Sequence, residues 1–84
     1  MMLIKIFSKE ECPNCPPAKE LGKKLESEGK KVEIFSLDEA DGLSEAMFND
    51  VMSTPSVIVI DDDKKEKMRW SGKAPKLEEI QRFL

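Results

Sequence analysis

Apolar and polar positions alternate between two periods along this chain, and the changes of period mark out its elements. Met2 to Phe7 is apolar apart from Lys5, which suits a strand covered on both faces. Polar residues follow from Ser8 to Glu11. Ala18, Leu21, Gly22 and Leu25 then recur at helical spacing and predict a buried helical stripe. Pro13, Pro16 and Pro17 fit this helix if they fall in its first turn, where backbone N–H groups have no intrahelical partner. Gly22 on the stripe implies close backbone packing, and Gly29 is a natural helix stop. Val32 to Leu37 reads as a second strand, parallel to the first because a helix connects them. Asp41 is placed to cap a short helix with Leu43, Ala46, Met47 and Val51 facing inward. Ser56 to Ile60 and Lys67 to Ser71 predict a hairpin around the turn-forming run Asp61 to Lys65. Pro75 opens a last helix whose buried face is Leu77, Ile80, Phe83 and Leu84.

The predicted order is β-α-β-α-β-β-α, an α/β fold with a four-stranded mixed sheet and helices on both faces. No linker or repeat interrupts it, and 84 residues suit one domain over residues 1–84. With charged residues at 37% and apolar residues at 39%, the chain has the balance of a soluble globular protein. The net charge of −3, with both signs interleaved, offers no basic face for nucleic acid. No stretch approaches the ~20 apolar residues of a membrane span, and no signal peptide is visible. A reducing, cytoplasmic setting and a monomer are the expectation. Trp70 is expected to pack on the sheet, and the methionines to fill core gaps.

Chemistry concentrates at Cys12-Pro13-Asn14-Cys15, which holds the only two cysteines and falls where the first strand hands over to the helix. A helix N-terminus favours a thiolate, the nucleophile of disulfide exchange. Two other readings stay open. The pair is half of a zinc site, but the chain has no histidine and no second cysteine pair, so a metal would have to be shared between two chains. A structural bridge over so short a loop would stabilise little.

A second motif, Val51-Met52-Ser53-Thr54-Pro55-Ser56, precedes the third strand. Together with Cys12-x-x-Cys15, the element order and the tail Ser71-Gly72-Lys73-Ala74-Pro75, it makes the chain resemble the thioredoxin superfamily at its small, glutaredoxin-like size. The resemblance covers the whole chain. It implies a thioredoxin-like fold, a cis Thr54-Pro55 bond facing the cysteines, and thiol–disulfide oxidoreductase activity with no cofactor beyond the redox-active disulfide. Cys12 would be the exposed nucleophile and Cys15 the resolving thiol. Pro13, Asn14, Ser53, Thr54 and Pro55 would contact substrate, with the Thr54 backbone adding a strand-like contact.

Within that superfamily the chain looks like a hybrid. Lys9, three positions before Cys12, resembles the lysine with which glutaredoxins help bind glutathione. Asn14 stands where glutaredoxins carry tyrosine, Ser53 precedes Thr54-Pro55, and Gly72-Lys73 replaces the paired glycines and acidic residue that capture the glutathione amino end. Thioredoxins have a tryptophan before the first cysteine, here Glu11, and a buried aspartate in the first strand, near Ile6 here. The implied partners are proteins carrying disulfides and a thioredoxin-reductase type of enzyme, with glutathione doubtful. The alternatives are a glutathione-dependent glutaredoxin and a dimer sharing a metal or iron–sulfur cluster.

Overall fold

The computed structural model describes residues 2–84. Seven elements follow one another: β1 (Leu3–Ser8), α1 (Cys15–Ser27), β2 (Lys31–Ser36), α2 (Ala40–Phe48), β3 (Ser56–Ile60), β4 (Glu66–Ser71) and α3 (Leu77–Gln81). The strands form one mixed sheet in the order β2-β1-β3-β4. β1 runs parallel to β2 and antiparallel to β3, and β3 and β4 form the hairpin. The expected thioredoxin-like fold is present: β3 spans the residues read from the sequence, β4 starts one residue earlier, and β1 and β2 are each shifted by one residue. β1 ends at Ser8 rather than Phe7, for example.

α1 and α3 cover one face. Ile4, Ile6, Val57 and Val59 of the inner strands meet Ala18, Leu21 and Leu25 of α1 and Ile80 of α3, all buried. The stripe read from the sequence is therefore the one the helix buries. A Cβ at Gly22 would lie 2.9 Å from Ile6 Cδ1 and 3.2 Å from Ile34 Cδ1, so the glycine lets the helix settle onto β1 and β2. Trp70 is buried in the same core, edge-on to Phe83 with ring centroids 5.7 Å apart. It packs on the sheet as expected. α3 begins two residues later than its proline suggested: Pro75 is buried ahead of the helix, and Lys76 takes the N-cap position. Its N–H donates to the Glu79 carboxylate at 3.3 Å, which satisfies one of the unpaired donors of the first turn.

α2 covers the other face, over Phe7 and Ile58, with Phe35 stacked on Phe7 at 5.3 Å. Two expectations fail here. The N-cap residue is Glu39, and Asp41 lies inside the first turn, where its charge still suits the helix dipole. The inward face is Gly42 and Ala46, while Leu43 is 46% exposed and Met47 71% exposed. Gly42 is the cause. A Cβ at this position would run into the backbone of Ser36, so only glycine lets the helix approach β2 so closely. That approach rotates the apolar residues outward.

A salt bridge crosses from this helix to the sheet. Lys5 donates to Glu45 Oε1 at 2.6 Å, and this bond holds the Glu45 carboxyl below the usual carboxylate range. A lowered folded-state pKa gives stability that is full above the ordinary carboxylate pKa. It is lost as the pH falls through the lowered value. Glu45→Gln should therefore cost about 1 kcal/mol or less at pH 7, and the deficit should vanish in acid. Urea midpoints of both proteins between pH 7 and pH 2.5 would check this; an equal deficit at every pH would contradict it.

Candidate active site

Four loops meet at one end of the sheet. Ser8 pairs with Ser36, Phe7 with Ser56, and Ser56 with Ser71. The ends of β1, β2 and β4 and the start of β3 therefore lie side by side. Residues 9–14, 37–39, 53–55 and 72–76 all project from this edge. It brings together every site residue read from the sequence: Cys12, Pro13, Asn14, Cys15, Ser53, Thr54 and Pro55.

The two cysteines are joined in a disulfide, with their Cα atoms 5.3 Å apart. Cys15 is the first residue of α1, and its N–H donates to the Cys12 carbonyl at 3.2 Å. Pro16 and Pro17 occupy the first turn, as their missing N–H groups require. Pro13 does not join them. It lies with Asn14 in the exposed turn before the helix, and Cys12 precedes the helix by three residues. Cys12 is 9% exposed and Cys15 1%. Cys12 is thus the more accessible of the two cysteines, but in the oxidised state little of the residue shows, less than the exposed nucleophile expected from sequence. The unpaired N–H groups and the positive end of the α1 dipole lie beside the pair and favour a thiolate there.

The second strip of the site is residues 53–55. Thr54-Pro55 is cis, as the resemblance implied. The turn is held at both ends: Ser56 Oγ donates to the Ser53 carbonyl at 2.7 Å, and the Gly72 N–H donates to the Pro55 carbonyl at 2.8 Å. Gly72 adopts φ +84°, a conformation that favours glycine. Thr54 is half-buried, and among the described residues no hydrogen bond outside the sheet engages its main chain.

Sequence reasoning missed a tie at the other margin. The Asp38 carboxylate accepts the Glu10 N–H at 2.7 Å, and the Asp38 N–H donates to Ser36 Oγ at 3.2 Å. The cysteine loop is thereby fastened to the end of β2. An acidic residue just past a strand was the only signal, and it is a weak one. Ile6, near which the resemblance places the buried aspartate of thioredoxins, is fully buried in the apolar core. Among the described residues no cluster of three or more metal-ligating side chains gathers anywhere.

Comparison with known proteins agrees with this geometry. The profile of the thioredoxin-domain family matches residues 2–84. The chain belongs to the thioredoxin-domain family. No curated protein sequence matches it. Among solved structures, a malarial protein superposes with a TM-score of 0.82 at 18% identity, covering 98% of this chain and 91% of that one. Oxidised thioredoxin O2 of Arabidopsis thaliana gives 0.79 at 10% identity, over 99% of this chain and 71% of its own. A thioredoxin of Thermus thermophilus gives 0.68 at 23% identity, over 96% and 69%. At these identities the structures attest the fold. A thioredoxin domain that carries a C-x-x-C disulfide at the start of its first helix is a dithiol–disulfide oxidoreductase.

Proposed function

We propose that this protein reduces disulfides in other proteins and is itself recycled by a thioredoxin-reductase type of enzyme. The reading is carried by the Cys12–Cys15 disulfide at the start of α1, on the same sheet edge as the cis Thr54-Pro55 turn. The Cys12 thiolate attacks one sulfur of a substrate disulfide, forms a mixed disulfide and expels the other sulfur as a thiolate. The Cys15 thiolate then attacks Cys12 Sγ, closes the internal disulfide and releases the second substrate thiolate. Two electrons have passed to the substrate, and two electrons from the reductase restore the dithiol. Thr54 offers its main chain to an extended substrate segment, a strand-addition contact, while Pro13, Asn14 and Ser53 line the approach. The protein acts as a monomer in a reducing cytoplasm.

The choice of reductase over glutathione rests on the loop after β4. Gly72 is spent on the turn that holds Pro55, and the next residue is the exposed Lys73. A glutathione amino end is positive and would be repelled there. Lys9 could hold a carboxylate, but an exposed ion pair contributes only about 0–1 kcal/mol. Oxidised protein should be reduced efficiently by a flavin- or ferredoxin-dependent thioredoxin reductase and poorly by millimolar glutathione with glutathione reductase. Efficient turnover with glutathione, and none with any thioredoxin reductase, would make it a glutaredoxin instead.

A further inference from the structure

The charges of this chain are segregated. From Val32 to Asp63 there are nine acidic residues and no lysine or arginine. All fourteen cations lie outside that stretch, with the other eight acids, so one segment carries −9 and the rest +6. The sequence reading of interleaved charge is corrected on this point. The acidic segment contains β2 from Val32 on, α2 and β3, and the helix among them is α2, which alone covers the second face of the sheet.

That same helix presents the largest exposed apolar groups. Because Gly42 and Ala46 face the sheet, Leu43, Met47 and Phe48 point outward, the last 85% exposed. Met52, 94% exposed, follows in the loop that leads to Ser53-Thr54-Pro55. Leu43 and Met47 are one turn apart on one helix face, with Phe48 beside them. Asp41, Ser44 and Asp50 flank the ridge in sequence. Of the nearby cations, Lys5 is engaged by Glu45, and Arg69 by Glu66 and by the carbonyls of Asn49 and Asp50, while Lys64 lies beside Phe48 at the far end of the helix. Below Phe48, a hollow of about 350 Å³ opens between Leu3, Asn49 and Ile60.

We infer that the α2 face is a docking surface for the protein that exchanges disulfides with Cys12, and that this partner presents a basic surface with apolar anchors. Charge chooses the occupant. A cationic, apolar-centred surface complements a methionine-rich ridge set in carboxylates, and it is steered to it in solution. Methionine side chains adapt to more than one shape, which suits a protein that must release its partner after each exchange. α2 starts just after residues 37–39 of the cysteine edge, and its far end at Phe48 lies by Leu3 and Ile60, so a partner lying along α2 meets the cysteine edge at the N-terminal end of the helix, beside Asp38, Glu39 and Asp41. Only the partner's role rests on the exchange activity proposed above.

The test uses the full-length reduced protein and two synthetic amphipathic helical peptides of one apolar pattern, one with lysines on its polar face and one with glutamates. Backbone amide shifts are followed by NMR at 50 and 300 mM salt, and reduction of a small aromatic disulfide reagent is assayed in parallel. The lysine peptide should bind with shifts centred on residues 41–52 and weaken at the higher salt, and the glutamate peptide should not bind. Replacing Met47 and Phe48 together by serine keeps every charge. It should weaken binding of the lysine peptide at least tenfold and leave reduction of the small reagent unchanged. Equal shifts with both peptides, shifts centred elsewhere, or unchanged affinity in the double variant would overturn the docking surface. Failure to reduce the small reagent would instead sink the exchange reading and leave the peptide result standing.

Discussion

Cys12→Ser should reduce protein-disulfide reduction to the uncatalysed background, and Cys15→Ser should arrest the reaction half-way. The two sulfurs are unequal in the structure. Cys12 is the less buried residue, 9% exposed against 1% for Cys15 at the first turn of α1. A substrate disulfide can meet only the first. Without Cys12 no nucleophile is presented. Without Cys15 the mixed disulfide forms and has no internal thiol to resolve it. Insulin precipitation assays should show no activity for either variant. Mass spectrometry should then separate them: Cys15→Ser accumulates a covalent adduct of one protein and one substrate chain, and Cys12→Ser accumulates none. An adduct on Cys15 in the Cys12→Ser protein would reverse the assignment. Both variants should fold, since a bridge across so short a loop restrains the unfolded chain little.

The second large effect is expected at Gly42. Its Cβ position is filled by the backbone of Ser36, which cannot move aside as a flexible side chain could. Gly42→Val should force α2 off the sheet and uncover Phe7, Ala46 and Ile58. Overpacking typically costs about 1–3 kcal/mol where side chains can yield, and backbone is less forgiving. The expected loss is thus about 3 kcal/mol or more, a large share of the roughly 5–15 kcal/mol that stabilises an ordinary domain. Gly22→Ala is the matched control. There the nearest atoms are the methyl ends of Ile6 and Ile34, which can rotate, and the gain in helix propensity offsets part of the strain. Urea denaturation should rank Gly42→Val far below Gly22→Ala; equal midpoints would refute the close approach of α2 to β2.

The same glycine marks the boundary of what the sequence disclosed. α1 was legible because its buried stripe is its apolar stripe, and Gly29 stops it with φ +84°. β3 was legible because it is an inner strand, apolar on both faces. The face of α2 was not legible. Its orientation follows from backbone contact at a residue without a side chain, and hydrophobic periodicity pointed at Leu43 and Met47 instead. Helix starts were off for a related reason. Pro13 and Pro75 suit a first turn but suit a preceding turn equally well, and only the fold chooses. At the site, the cysteines and the cis-proline turn were readable as motifs. The clasp from Asp38 to Glu10 was not, because it joins residues 28 positions apart through one backbone N–H.

The reduction potential of the Cys12–Cys15 couple tests the account most directly. Equilibrated against defined thiol–disulfide buffers and read by alkylation and mass, the pair should titrate as one two-electron couple between roughly −120 and −280 mV, the range of working redoxins. The reduced form should also turn over insulin. A potential below about −300 mV, where structural disulfides lie, with no insulin reduction, would contradict the account and make the bridge a fixed part of the fold.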